Sequence, residues 1–236
     1  MASAKDLRVE PISAKDAAAL VRRIHYSGKV VQNSQLHMGV FLDGRLEGAM
    51  QFGPPIDRRN LLGLVAGAKW NDMLELNRMA FGERLPRNSE SRAIGVAFRL
   101  IKRQYPQIKW VVSFADGTQC GDGTIYRASG FVLCGLKKNS TIVRLADGSV
   151  AAKHGTSKRD FSGSETLPGF QMRYIYFLDK ACRERLTVPE LPFSAIEEAG
   201  AGMYKGIKRG KQAMAVPAAQ RQGSTDRHAP KSTGAE

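Results

Sequence analysis

A chain of 236 residues with 42% apolar side chains suits one full domain with a tail, or two small domains. It contains no apolar run near the roughly 20 residues of a membrane-spanning helix, no signal-peptide pattern and no disulfide framework, so we expect a cytoplasmic protein without membrane contact. The net charge of +14 favours a polyanionic partner, and nucleic acid is the first candidate, against a basic surface that only maintains solubility.

The first predicted element is a helix. Ser13 and Asp16 stand at capping-box spacing, and an apolar face with helical periodicity follows them. The helix is expected to end near Gly28, which places His25 and Tyr26 on its last turn. In that position a histidine commonly complements the helix dipole, so a simple capping role for His25 is one interpretation.

Two strand patterns come next. Apolar runs on both sides of Asp43-Gly44 predict a hairpin, because glycine accepts the positive φ that tight turns need. Residues 73–81 alternate apolar and polar side chains, as a third strand does. The same alternation favours a solvent-facing charge pair for Glu75 and Arg78, although the neighbours of Arg78 have a buried pattern.

The second half of the chain continues the mixture of helices and strands. A loop is predicted over 85–92, and the periodicity from residue 91 predicts a helix that stops at Pro106. The remaining predicted elements are a central strand over 108–116, a short helix over 123–130, a strand over 131–136 and a last strand over 170–179. The order of elements predicts a mixed α/β fold.

Basic segments flank the predicted core. The folded domain is expected to cover residues 1–204, including a polar loop at about 137–168 whose segment 151–165 is basic. Residues 205–236 are also basic, rich in Gly, Ala, Pro and Ser, and poor in large apolar side chains, which is typical of a flexible tail. This arrangement favours contact with a phosphate backbone over solubility alone.

A polar cluster follows the central strand. The apolar run "IKWVVS" leads into "FADGTQCGDGTIYRASGF", which contains Asp116, Cys120 and Tyr126. Ligands bind at the carboxyl ends of strands in open α/β sheets, so the cluster predicts a functional site. The structural alternatives are turn formation by Asp116 and packing of the Tyr126 ring on the short helix.

The order of elements resembles the fold of the Gcn5-related N-acetyltransferases (GNAT). The phrase "Y-x-x-x-G-F", here Tyr126 to Phe131, is a common closing phrase of that fold. The resemblance implies an acyltransferase-like α/β fold with a central mixed sheet flanked by helices. It also implies that Tyr126 protonates a departing CoA thiolate, and that the loop before the second long helix binds pyrophosphate.

That loop departs from the GNAT pattern. Its residues with the chemistry to hold an anion are Arg87, Ser89, Ser91 and Arg92. Glycines normally let backbone N–H groups approach the phosphates, yet none occurs here before Gly95, and Glu90 lies inside the loop. Acetyl-CoA is therefore an open candidate as the cofactor.

Longer phrases resemble the Mom family of DNA-modification proteins of Mu-like bacteriophages. They include "HYSGKVVQNSQLHMGVFLDG", "LELNRMAF", "WVVSFADGTQCGDGTIYRASGFVL" and "LPGFQMRYIYFLD", and the resemblance covers about residues 6–209. It implies an enzyme of the infected host cytoplasm that adds an acetamido (carbamoylmethyl) group to the exocyclic N6 amine of adenine in double-stranded DNA. This modification protects phage DNA from host restriction. The family is also associated with iron.

The chemistry of that product exceeds ordinary acetyl transfer. The product has a new bond from nitrogen to a CH2 carbon and an additional amide nitrogen, and the adenine amine is a poor nucleophile. Fe2+ accepts imidazole and oxygen ligands while leaving open positions, so iron is a candidate activator. By their ligand chemistry, His25, Tyr26 and Asp116 are the candidate metal ligands. The resemblance points to His25, Tyr26, Asp116 and Tyr126 as functional positions. The candidate catalytic residues are Tyr26, Asp116, Tyr126 and Arg78, the last because its neighbours on the strand have a buried pattern.

Two other functions stay open at this point. The chain is also consistent with a GNAT-type acetyltransferase that uses acetyl-CoA on a protein or small-molecule amine, and less well with a non-catalytic DNA-binding module. An enzyme that modifies a base inside a duplex is expected to flip it out of the stack. The group donor, the sequence around the adenine and the oligomeric state, including a homodimer, are left open.

Overall fold

The computed structural model describes residues 2–153, 160–204 and 207–208. Its strands are β1 (Arg8–Pro11), β2 (Leu36–Leu42), β3 (Arg45–Gly53), β4 (Met73–Phe81), β5 (Trp110–Asp116), β6 (Val132–Lys138), β7 (Ile142–Arg144), β8 (Val150–Ala152), β9 (Glu165–Thr166), β10 (Phe170–Phe177), β11 (Met203–Tyr204) and β12 (Ile207–Lys208). Its α-helices are α1 (Ala14–Ile24), α2 (Arg58–Leu62), α3 (Ser89–Gln104), α4 (Thr124–Ala128), α5 (Ala181–Glu184) and α6 (Ser194–Glu198), and a 3-10 turn covers Ala4–Asp6.

A seven-stranded mixed sheet organises this part of the chain. Its spatial order is β1-β2-β3-β4-β5-β10-β6. The neighbours β4 and β5 run parallel, and the other neighbouring pairs of this sheet run antiparallel. The long connection from β4 to β5 contains α3, as a parallel pair requires. The parallel pair therefore lies in the middle of the sheet, with its carboxyl ends on the same edge.

Helices cover both faces of the sheet. The apolar face of α3, which includes Ile94 and Phe98, packs in one core cluster with Val111 of β5. The neighbouring β5 residues Trp110 and Val112 belong to a second cluster that contains residues of α2 and α5. Because successive side chains of a strand point to opposite faces, these two clusters lie on opposite sides of the sheet. The predicted mixed α/β fold with a central mixed sheet flanked by helices is confirmed.

Several boundaries match the sequence patterns. The strand predicted over 73–81 is β4, and the hairpin turn forms with φ of 50° at Asp43 and 75° at Gly44. The first helix, however, ends at Ile24 rather than near Gly28, because His25 leaves the helical region with ψ of 135°. Gly28 instead adopts a positive φ in the following turn.

Other segments differ from the predictions. Residues 85–92 were expected to be a loop, but α3 already begins at Ser89. The polar loop of about 137–168 contains a small three-stranded sheet of β7, β8 and β9, although residues 154–159 lie outside the described part. The predicted basic tail, 205–236, also falls outside it except for β12, which pairs with β11. No helix in the described residues is long and apolar enough to cross a membrane.

Candidate active site at the opening between β4 and β5

The two parallel strands separate halfway along their length. Their ladder ends at the pair Glu75–Val112, although β4 continues to Phe81 and β5 to Asp116. Just beyond the last pair, the Ser113 hydroxyl donates to the Leu76 carbonyl at 2.9 Å. The strands thus form an opening at their carboxyl ends, which is where ligands bind in open α/β sheets.

A β-bulge in β4 directs two charged side chains toward this opening. Gln51 of β3 pairs with Arg78, but the next residue of β3 pairs with Leu76, so Asn77 is an extra residue in β4. In a regular strand, Glu75 and Arg78 would point to opposite faces. Here the positive charge of Arg78 lowers the pKa of Glu75, which shows that the two groups act on each other. Bulges often change the direction of side chains next to active sites in this way.

Arg78 also holds the loop that follows α1. Its Nε donates to the Lys29 carbonyl at 2.9 Å, and its Nη1 donates to the Asn77 carbonyl at 2.6 Å. The guanidinium therefore connects β4 to the segment that carries His25 and Tyr26. A side chain with fixed forked donors suits this positioning role better than lysine would.

His25 and Tyr26 lie together at the end of α1. Their ring centroids are 4.4 Å apart. Burial, and then the charge of Arg78, lowers the pKa of His25 to about 4, so the ring is neutral at neutral pH. Burial, and then the charge of Asp116, raises the pKa of Tyr26, although its side chain remains 52% exposed. His25 is both the backbone C-cap of α1 and a neighbour of the site, so its two interpretations are compatible.

Tyr126 likewise combines packing with a place in the site. Its ring centroid lies 5.2 Å from those of Phe131 and Tyr174. Its hydroxyl lies within hydrogen-bonding reach of Ser113, whereas Cys120 influences it through charge. Burial raises the pKa of Tyr126 to about 12, so this phenol keeps its proton at neutral pH.

Asp116 forms a turn, and its charge also affects the pKa values of side chains in the site. Its Oδ1 accepts the Thr118 N–H at 2.8 Å, and its Oδ2 accepts from Gln119 Nε2 at 3.0 Å. The turn-forming interpretation of this residue is thus confirmed. Its negative charge nevertheless raises the pKa values of both Tyr26 and Cys120, which places the carboxylate near them.

Glu75 is the residue that the sequence reading missed. Its side chain is half-buried, and burial raises its pKa from 4.5 to about 7. The nearby Ile56 N–H acts in the opposite direction and lowers the pKa of Glu75, and the charge of Glu75 influences Tyr126. Alternation along β4 predicted a solvent-facing position for Glu75. The bulge at Asn77, which disturbs this alternation, has no signal in the sequence.

The four anion-binding candidates lie at the start of α3. The Ser89 hydroxyl donates to the Pro86 carbonyl at 2.5 Å, and the Ser91 hydroxyl donates to the Asn88 carbonyl at 3.2 Å. Both hydroxyl protons therefore serve the backbone of the helix start. Arg87 and Arg92 are exposed. Their role with a cofactor stays a prediction, because no described contact connects these four residues to the cluster around Arg78.

The proposed iron ligands do not form a ligand set in this conformation. The His25 Nδ1 lies 2.9 Å from the Ser27 hydroxyl oxygen and 3.2 Å from the Ser27 backbone nitrogen, so the turn after α1 occupies this ring nitrogen and leaves only Nε2 for a metal. Both Asp116 oxygens already accept hydrogen bonds. Across residues 2–153, 160–204 and 207–208, no three His, Cys, Asp or Glu side chains cluster as metal ligands would.

Comparisons of the sequence with known proteins identify a family to which the chain is similar. The sequence model of the Mom protein family matches residues 6–195. The protein named methylcarbamoylase Mom from Escherichia phage Mu is 39% identical over 195 residues, which cover 77% of this chain and 80% of that protein.

Solved structures with some likeness to the fold are acetyltransferases. A ribosomal-protein-S18-alanine N-acetyltransferase from Escherichia coli is 10% identical, with 73% of this chain and 94% of that chain covered and a TM-score of 0.45. A GNAT family acetyltransferase from Elizabethkingia anophelis, with acetyl-CoA bound, is 13% identical, with 73% and 98% covered and a TM-score of 0.42. We infer no ligand or substrate from likenesses this distant.

Proposed function

The chain belongs to the Mom protein family, and we propose that it is a phage DNA-modification enzyme that adds a carbamoylmethyl group to the exocyclic N6 amine of adenine in DNA. The observation that carries this proposal is the family match over residues 6–195, because that range contains every residue of the opening between β4 and β5. The proposed benefit to the phage is protection of its DNA from host restriction enzymes.

The charge of the protein supports DNA as the substrate. A net charge of +14 attracts a phosphate backbone at long range, and that attraction does not depend on base sequence. The target amine takes part in base pairing, so the adenine has to leave the stack before it reaches side chains at the bottom of an opening. The opening between β4 and β5 is the proposed pocket for the extruded base.

The side chains of the opening suit proton transfer at the adenine amine. When the amine nitrogen forms a bond to the CH2 carbon of a donor, the bond from that carbon to its leaving group breaks and the leaving group takes the electron pair. One N–H bond of the amine also breaks, and a nearby base has to accept the proton. Glu75, with a pKa of about 7, is matched to this task at neutral pH. Tyr126, with a pKa of about 12, remains protonated and serves as a hydrogen-bond donor or a proton source.

Arg78 and Asp116 have supporting roles in this proposal. Arg78 holds the loop of His25 and Tyr26 against β4, and its charge opposes the pKa rise of Glu75. Asp116 lies at the end of β5 and acts on the Tyr26 hydroxyl through its charge. These proton transfers involve only the side chains named above: the described contacts of His25, Tyr26 and Asp116 form no metal site, and the loop before α3 lacks the glycines of the GNAT pattern.

Mass spectrometry of nucleosides tests the function. DNA from cells that express the protein should contain deoxyadenosine in which one amine hydrogen is replaced by a carbamoylmethyl group. DNA from cells that express Tyr126→Phe should not, whereas Tyr105→Phe, an exposed tyrosine after α3, should behave like the parent. Unmodified DNA together with an acetylated protein or small amine would instead support the GNAT-type acetyltransferase.

A further inference from the structure

An isoleucine projects from the protein beside the opening. The loop between β3 and α2 contains Pro54, Pro55, Ile56 and Asp57. The side chain of Ile56 is 80% exposed, more than any other large apolar side chain in the part of the chain that the structure describes. A single exposed apolar residue is ordinary by itself, so the surroundings of Ile56 decide whether it has a role.

Contacts at Gly53 and Pro54 fix the backbone that leads to this side chain. The Asn33 Nδ2 donates to the Pro54 carbonyl at 2.7 Å, and the proline rings restrict the backbone before the tip. A Cβ on Gly53 would lie only 2.5 Å from the Asn33 carbonyl oxygen, which shows how closely the two segments approach. Ile56 is thus presented to solvent by a fixed backbone, and a partner would pay little ordering entropy on contact with it.

The same loop is attached to the site. The Ile56 N–H is close enough to the Glu75 carboxylate to lower its pKa, so the backbone of the exposed residue lies beside the proposed base. Asn33, which anchors the loop, belongs to the segment after α1 that also carries Tyr26, whose side chain is 52% exposed. Ile56 therefore lies at the mouth through which an extruded adenine would enter.

Cations and an aromatic ring follow the tip along the chain. Arg59, within α2, and Lys69, after it, are both exposed, as is Asp57 next to Ile56. The Arg58 guanidinium lies 4.5 Å from the centroid of the Trp70 ring, which is 47% exposed. An apolar tip with exposed cations in the following segment fits duplex DNA better than a protein surface, because DNA presents a stack of bases between two rows of phosphates.

We propose that Ile56 inserts into the base stack of duplex DNA at the position that the target adenine leaves, while Arg59 and Lys69 contact the flanking phosphates. The inference rests on the proposed function, since only extrusion of a base creates the gap. An apolar side chain in that gap restores contact with the neighbouring bases and slows the return of the adenine. Isoleucine is among the side chains that proteins insert between base steps.

A binding comparison tests the insertion without requiring catalysis. Affinity is measured at one salt concentration for a fully paired duplex and for the same duplex with one abasic site, where the gap already exists. The protein should prefer the abasic duplex by about tenfold or more, and Ile56→Ala should abolish the preference. Arg59→Ala should weaken binding to both duplexes equally, and Val150→Ala, at an exposed apolar residue of β8, should change neither affinity.

The outcomes separate the insertion from the proposed function. An abasic preference that depends on Ile56 supports the insertion even if no modified adenine is found, in which case only the proposed chemistry fails. Equal affinity of the protein for the two duplexes, or a preference that survives in Ile56→Ala, overturns the insertion even if modified adenine is abundant. If Ile56 instead contacts a protein partner, the protein should not show a preference for the abasic duplex that depends on Ile56.

Discussion

Replacing Glu75 with glutamine should stabilise the protein at alkaline pH and inactivate it. The folded protein holds this carboxyl group where burial favours its neutral form and raises its pKa from 4.5 to about 7. Above pH 7 the carboxylate is nevertheless ionised, so the folded state carries an energetic penalty that a neutral glutamine avoids. The glutamine oxygen remains able to accept the Ile56 N–H.

The size of this effect follows from the pKa shift. Each pKa unit corresponds to about 1.36 kcal/mol, so a rise from 4.5 to about 7 corresponds to about 3 kcal/mol. Solvent that reaches the half-buried carboxylate reduces this to about 1–3 kcal/mol. Below pH 4.5 the group is protonated in both the folded and unfolded states and contributes nothing. Between 4.5 and 7 only the unfolded state ionises, so the parent protein loses stability relative to the variant as the pH rises.

Urea denaturation at about pH 5 and about pH 8.5 measures the difference. The variant should gain stability over the parent mainly at the higher pH, and its yield of modified adenine should fall by about 10²-fold or more. Glu83→Gln, at an exposed glutamate after β4, controls for the loss of one negative charge and should show neither effect. An equal stability difference at both pH values, or full activity in Glu75→Gln, would refute the reasoning.

The remaining predictions concern the polar cluster and the tail. Asp116→Asn should lower the yield of modified adenine by about 10²-fold or more without unfolding the protein. The control is Asp160→Asn, which alters a similar turn and should leave the yield unchanged. Equal yields from the two variants would mean that Asp116 only forms a turn. Tyr126→Phe should remove activity and keep the fold, which circular dichroism and nucleoside analysis check together; a folded and fully active variant would leave only its packing role. A chain cut after Lys208 should have a slope of log affinity against log salt that is flatter by about 2–3 if three phosphate contacts are lost, with unchanged sequence context of the modified adenines. An unchanged slope would mean that the tail does not touch DNA.

The sequence patterns predicted elements whose signals are local. Residues 73–81 alternate because one face of β4 is buried, and the turn at Asp43-Gly44 needs positive φ, so both features are visible in the sequence alone. The edge strand β1 and the short strands of the small sheet were missed, because strands of two to four residues are defined by distant partners rather than by their own pattern.

The site was predicted in part for a similar reason. Asp116 and Tyr126 follow a central strand, and the carboxyl end of such a strand is a general location for ligands. Glu75 escaped notice because the extra residue Asn77 lies between it and Arg78, so regular alternation gives the wrong relative direction for these two side chains. A bulge depends on the partner strand β3, so the periodicity within β4 alone does not predict it.

The electrostatics of the opening complement those of the protein surface. Burial is the largest cause of every resolved pKa shift in the cluster, and each shift favours the neutral form: it lowers the pKa of His25 and raises those of Tyr26, Glu75, Cys120 and Tyr126. The chain as a whole carries a net charge of +14. A positive exterior attracts the phosphate backbone. In the opening, by contrast, Arg78 already donates to the Lys29 and Asn77 carbonyls, and Asp116 adds a negative charge, so a phosphate would find little compensation there for its lost hydration. An uncharged adenine ring loses much less on entry. The two environments together would therefore hold the backbone outside and admit the base, which is the arrangement that modification of an exocyclic amine requires.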